Sequence, residues 1–140
     1  MTHQYKLTLH NNVQEVPQLA TFIDTIADEN GIDLSTSMNL NLAMEEAVVN
    51  VMKYAYPDES GRSFDIDAII DDNEVTFIID DSGIPFDPTS IAEPDTNLSA
   101  DERPIGGLGI HLVRQLMDSI LYERRDNHNI LTIKKKIKQI

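Results

Sequence analysis

From Ser35 to about Tyr56 the sequence contains neither glycine nor proline, and Pro57 then closes the run. A stretch of that length that never breaks predicts one long helix, with Ser35 as its N-cap and the proline as its stop. At about 100° per residue, Leu40, Met44, Ala47, Val48, Val51 and Ala55 point in one direction, so this helix must lie with that face on another layer. Glu46, Asn50 and Lys53 point roughly the other way. Spaced by four and then three residues, they set a carboxylate, an amide and an ammonium in a row, which as an isolated feature reads as a solvated polar face.

The layer beneath that helix is predicted from period-two alternation. "YKLTLH" reads as a short edge or opening strand over about Tyr5 to Leu9, and "SFDIDAII" and "EVTFIID" as an antiparallel hairpin over about Ser63 to Asp80. A first helix lies between the opening strand and the long helix. Val16, Leu19, Ala20, Ile23, Ile26 and Ala27 recur at helical spacing, Pro17 fits a first turn, and Gly31 is placed as a left-handed cap. Beyond residue 105, Ile110, Val113, Leu116 and Met117 mark a third helix to about Ser119. "ILYERRD" and "ILTIKKKI" then pair as a closing hairpin across Asn127-His128. The expected fold is an α/β two-layer sandwich, with a mostly antiparallel sheet of about five strands and three helices on one face. At 140 residues the chain is expected to be a single domain.

Charge and composition narrow the function. Asp and Glu number 24 against 11 Lys and Arg, a formal −13, so most of the surface repels a nucleic acid backbone or an anionic membrane. Direct nucleic acid binding and membrane binding are not expected. The absence of cysteine excludes disulfides and thiolate metal sites. No stretch reaches the roughly 18 apolar residues of a spanning helix and the first residues hold no signal-like apolar core, so a cytoplasmic location is expected.

Two further segments carry chemistry. In "IIDDSGIPFDP", Asp81 ends a strand two residues before Gly83, and Phe86 follows. By itself this is a common turn. It also suits a carboxylate that accepts from a donor such as a purine exocyclic amine, with the glycine letting the base approach the backbone. In "GGLGIHLVRQLMD", Gly106, Gly107 and Gly109 abut a helix start. They read either as a hinge or as an anion site, where N–H groups and the positive end of the helix dipole meet phosphate; without GK[ST] it is not a Walker A loop. Residues 87–105 hold three prolines and no periodicity, the mark of a functional lid or binding loop.

In order and spacing, "EEAVVNVMKYAYP", "DDSGIPFDP" and "GGLGIHLVRQLMD" resemble the N box and the two glycine boxes of the GHKL ATPase superfamily, over about residues 5–138. Within it the chain is most similar to the anti-sigma-factor serine/threonine kinases. The resemblance implies the Bergerat, histidine-kinase-like ATPase fold, with ATP and Mg2+ as cofactors. It also implies a STAS-domain anti-anti-sigma protein and a sigma factor as partners, and is compatible with a homodimer. By the same resemblance Glu46 is the general base and Asn50 the magnesium ligand. Lys53 faces the phosphates and Asp81 accepts from adenine N6, with Gly83 and Phe86 beside it. Thr132 assists through water, Gly106, Gly107, Leu108 and Gly109 hold the triphosphate, and residues 87–105 form the ATP lid.

Tyr54 departs from the histidine that many relatives carry. Glu45, turned 100° from Glu46, is expected in solvent. Arg103, the only basic residue of the acidic lid, and His111 are assigned no catalytic role. A regulatory nucleotide-binding module of the same fold, which sequesters a partner without efficient phosphoryl transfer, is the alternative. An ATPase domain of a sensor histidine kinase is disfavoured, because no helical hairpin with a phosphoacceptor histidine is seen ahead of the domain.

Overall fold

The structure, a computed structural model, describes residues 2–56, 61–90 and 107–137, with the backbone alone at 107–109. The elements run β1 (His3–His10), α1 (Val16–Asn30), α2 (Leu34–Asn50), β2 (Ser63–Ile70), β3 (Glu74–Asp81), α3 (Gly107–Leu116), β4 (Ser119–Arg125) and β5 (His128–Lys136). The five strands form one sheet in the order β1-β2-β3-β5-β4, antiparallel at every pairing. The expected sandwich of about five strands and three helices is therefore the fold found.

Alternation decides which way each strand faces. Phe64, Ile66, Ala68 and Ile70 of β2, Val75, Phe77 and Ile79 of β3, and Leu131 and Ile133 of β5 are buried against the helices. Their neighbours on the other face remain partly open. The helices answer with Leu19, Ile23 and Ile26 from α1, Leu40, Met44, Ala47 and Val48 from α2, and Ile110 and Val113 from α3. Each such Leu, Ile or Phe contributes about 1.5–3 kcal/mol by leaving water. The predicted inner face of α2 is buried throughout, and Val51 and Ala55 just past its end are buried too. Gly31 ends α1 at φ 65, and Ile32 N–H donates to Ala27 O at 3.0 Å.

Several boundaries differ from the sequence expectation. α2 starts at Leu34 with Asp33 as its extended N-cap, one turn-forming residue competing with another nearby, so Ser35 lies inside the first turn. Its α-helical part ends at Asn50, and Val51–Ala55 continue as a π-helical turn. Ala20 is exposed rather than packed. A 3-10 turn at Pro88–Ser90 opens the segment expected to be irregular; residues 91–105 lie outside the described residues. α3 stops at Leu116 and Ser119 already belongs to β4. The closing hairpin turns at Asp126 and Asn127, φ 53 and 66, not at Asn127-His128. Two successive positive φ values make the tight turn whose twist suits paired strands, and Arg125 therefore faces His128.

Candidate functional site

β3 ends at Asp81, and the loop that follows is fixed donor by donor. Ser82 N–H donates to Tyr56 Oη at 2.8 Å and Gly83 N–H to Asp81 Oδ1 at 2.9 Å. Ile84 N–H donates to Ala55 O at 2.9 Å and Phe86 N–H to Asn129 Oδ1 at 3.3 Å. Pro85 has no N–H to place, so every backbone donor from 82 to 86 has a protein partner. Gly83 is required by contact: a Cβ there would stand 2.2 Å from Ala55 O. The glycine serves the approach of this loop to the π-helical turn. Tyr56, fully buried, also hydrogen-bonds Ser63 O at 3.1 Å, and Arg62 lies over its ring at 4.9 Å while donating to Ser82 Oγ.

Asp81 is 3% exposed, and both hydrogen bonds it accepts go to Oδ1, from Gly83 N–H and from Asn129 Nδ2 at 2.8 Å. Oδ2 is left without a protein partner among the described residues. Burial pushes the carboxyl above its ordinary range, while Asn129, the Gly83 N–H and the Arg124 charge pull it back and Asp80 adds to the rise. A buried carboxylate with one open oxygen is an acceptor waiting for an N–H donor.

Asn50 stands across the cleft from this loop. It is 5% exposed, and its Nδ2 is buried with no hydrogen-bond partner among the described residues. Asn50 is not on a solvated face, the reading of the helix in isolation, because α3 packs against α2. Ala47, Asn50, Val51, Asp81, Phe86, Pro88, Ile110, Tyr122, Asn129 and Leu131 enclose about 300 Å³ including the open mouth. Phe86 stacks on Tyr54 with ring centroids 5.1 Å apart, which ties the loop to the π-helical turn from outside. Burial raises the Tyr54 hydroxyl pKa.

The remaining predicted site residues divide. Glu46 lies one turn before Asn50, half-buried, and is not part of the cleft wall. Lys53 is exposed: the wider π-helical turn changes the angular phase, so it does not extend the Glu46–Asn50 line. Thr132 is not brought to the cleft. On β5 the cleft-facing residues are Asn129 and Leu131, and Thr132 pairs with Ile78 and Leu121 on the opposite face. Gly107, Leu108 and Gly109 form the first turn of α3, beside Ile110, and Gly106 lies outside the described residues. His111 Nε2 sits 3.2 Å from Gln115 Nε2, and Arg103 lies outside the described residues.

Residues 9–135 match the family of the histidine kinase-like ATPase domain. The chain belongs to this family. The resemblance read from the three motifs is borne out at that level. A serine/threonine-protein kinase named BtrW from Bordetella bronchiseptica is 32% identical over 67% of this chain and 66% of its own. A serine-protein kinase named RsbW from Listeria monocytogenes is 28% identical over 68% of this chain and 63% of its own. The matched stretch thus spans just under two thirds of these relatives' length. The crystal structure of the RsbU and RsbW domains of Rv1364c from Mycobacterium tuberculosis superposes on 99% of this chain and 34% of that one, with a TM-score of 0.68 at 14% identity, a likeness of fold.

Within this family fold, the residue that sequence reasoning missed is Asn129. Its Nδ2 donates to Asp81 Oδ1 and to Ile84 O, both at 2.8 Å. Its Oδ1 accepts from Phe86 N–H, from Tyr122 Oη at 2.5 Å and from Arg124 Nη1 at 3.1 Å. Arg124 also donates to Gly83 O at 2.9 Å. One buried amide thus fastens Asp81, Ile84 and Phe86 to β5. A lone asparagine beside a turn gives no sequence signal for that role.

Proposed function

We propose that this chain binds Mg-ATP in the cleft and transfers the γ-phosphoryl group to a serine or threonine of a STAS-type anti-anti-sigma protein, and that it acts in the cytoplasm as an anti-sigma factor by holding a sigma factor. The observation that carries the reading is Asn50 Nδ2, buried with no hydrogen-bond partner among the described residues, in the wall of the same cleft as Asp81 with its open oxygen. Native proteins rarely leave such a donor without a partner, and a phosphate oxygen in the cleft would accept from it. Names given to the relatives, serine-protein kinase and serine/threonine-protein kinase, point to the same chemistry.

Each residue then has a task. Asp81 Oδ2 accepts the adenine amine, and Phe86 with Leu131 flanks the base. Gly107 and Gly109 leave the first turn of α3 uncluttered, so its N–H groups and dipole meet phosphate oxygens. Magnesium fits the donor set: a hard cation that keeps several waters needs one or two protein oxygens, which the Asn50 amide can supply, and when bound it would neutralise phosphate charge. Glu46 takes the proton from the attacking hydroxyl as its oxygen bonds to phosphorus and the bond to the β-phosphate oxygen breaks, releasing ADP.

The alternative of a regulatory module with poor transfer has one observation in its favour: among the described residues nothing orients the Glu46 carboxylate. Single-turnover transfer of labelled γ-phosphate separates the two. Wild type is expected to phosphorylate a STAS-domain protein of its own genome. Binding of Mg-ATP and of a partner without any transfer establishes the regulatory module instead.

A further inference from the structure

Leu34, Met38, Leu42, Glu46 and Asn50 stand four residues apart along α2. Each step of four advances about 40° around a helix, so the five form one slowly winding ridge. Its exposure falls in order: Leu34 76%, Met38 62%, Leu42 48%, Glu46 half-buried, Asn50 5%. The ridge begins as three large apolar side chains in water and ends in the cleft. α2 already spends another face on the core, so these three serve no packing within the described fold. Single exposed hydrophobics are ordinary, but three at one spacing make a continuous stripe.

The helical pair that carries it is acidic. Between Val13 and Tyr56 stand Glu15, Asp24, Asp28, Glu29, Asp33, Glu45 and Glu46 against the single cation Lys53. Beside the ridge a shallow groove of about 440 Å³ runs between α1 and α2, walled by Val16, Pro17, Ala20, Asn41 and Glu45. Asn41 bridges the two helices through Asp24 Oδ1 at 3.1 Å. At about 1.5 Å of rise per residue, Leu42 lies about 6 Å and Met38 about 12 Å from Glu46 along the axis. Both distances fall within one ordinary protein interface.

We propose that the Leu34–Met38–Leu42 ridge is the docking platform for the protein that receives the phosphate. That partner carries an apolar patch flanked by lysine or arginine, with its acceptor hydroxyl at the patch edge. The proposal rests on the kinase reading. Continuity of the ridge with Glu46 fixes where the hydroxyl arrives, and the acidic field selects a basic rim and repels an anionic one. Docking energy held away from the reacting atoms is uniform binding, so its loss appears in KM and not in kcat.

The test uses the full chain and the purified STAS-domain proteins of the same genome. Wild type identifies the acceptor by transfer of labelled phosphate. Met38→Glu and the Leu34→Ser/Leu42→Ser pair, all at exposed positions that spare the core, should then raise KM for that acceptor by about tenfold or more, with kcat and ATP affinity within about twofold. Leu121→Ser, which removes an equally exposed leucine on the far face of the sheet, should change nothing. Wild-type KM should also rise with salt. An unchanged KM in both ridge variants overturns the ridge and leaves the kinase reading standing. Mg-ATP binding by wild type with transfer to none of the STAS proteins overturns the kinase reading, and the ridge as argued falls with it.

Discussion

The Asp81 end and the Asn50 end of the cleft handle their polar groups in opposite ways. Around Asp81, every backbone donor from Ser82 to Phe86 is matched, and a single asparagine, Asn129, takes part in five hydrogen bonds. Around Asn50, the described residues give the buried amide nitrogen no partner, and the Glu46 carboxylate one turn away is held by none of them either. Satisfying a buried network makes it rigid, and leaving one group unsatisfied costs free energy that a ligand can recover. The first end is therefore shaped before anything binds, as recognition of a flat base demands. On the proposed reading, the second is completed by phosphates and metal. Substitutions that treat the two ends alike should fail to have like effects.

The largest difference is expected in rate. Glu46→Gln keeps the side chain's size and removes the base, so phosphoryl transfer should fall by about 10²–10⁴-fold while ATP affinity stays within a few fold. Single-turnover assays and calorimetry read the two quantities separately. A variant that still transfers at the wild-type rate removes Glu46 from the chemistry and leaves the Asn50 end with a structural task alone.

Next come two asparagines cut back to alanine. Asn129→Ala strands the Phe86 N–H and the Ile84 carbonyl and takes one of two hydrogen bonds from the buried Asp81, and should cost about 3 kcal/mol of stability, since each abandoned buried group costs about 1–3 kcal/mol and the losses overlap. Asn50→Ala abandons no partner among the described residues. It should change stability by no more than about 1 kcal/mol, in either direction, and yet lose the magnesium dependence of ATP binding. Denaturant midpoints with and without Mg-ATP measure both. Equal destabilisation by the two alanines would erase the contrast between the ends.

How far the sequence reveals these ends follows from how local their causes are. The strands, the core face of α2 and the Gly31 cap depend on spacing within one element, and were legible. The π-helical turn was not, because "VMKYA" holds nothing that an α-helix would reject. Thr132, named by resemblance alone, stands on the face of β5 away from the cleft, and in "NILTIK" apolar residues on both faces leave alternation unable to say which parity faces the helices. Asn129 gathers partners from Asp81, Ile84 and Phe86, which lie 43 to 48 positions away, and no local pattern announces them. The need for Gly83 is equally non-local, since the backbone it lets in belongs to Ala55.

Asp81→Asn comes third in size. The amide can still accept from Gly83 N–H and Asn129 through its oxygen, but it presents an N–H where the carboxylate offered its second oxygen. ATP binding should weaken by about 1.5–3 kcal/mol, the range for a hydrogen bond to a charged group. Equal ATP affinity in calorimetry would move the adenine away from this loop.

The smallest effect, and the finest test of the shaped end, is in pH. Asp81 has its carboxyl raised by burial, with Asn129, the Gly83 N–H and Arg124 opposing. Between its ordinary value of 3.8 and the raised one, the folded chain holds a proton that the unfolded chain has lost. Stability therefore declines as pH rises through that window and is penalised by a constant amount above it. Asp81→Asn removes this slope, and the other carboxylates cancel when the two proteins are compared. The variant should gain on wild type in melting temperature as pH rises from below 4 toward neutrality, even while it binds ATP less well. Binding should show the mirror image: an amine donor at Oδ2 favours the charged carboxylate, so ATP uptake in the same window should release a proton and tighten as pH rises. Calorimetry in two buffers of different ionisation heat counts that proton. A melting difference that is flat across the window, together with no proton release, would mean that Asp81 is ionised at no cost and that its open oxygen is not where the ligand donor lands.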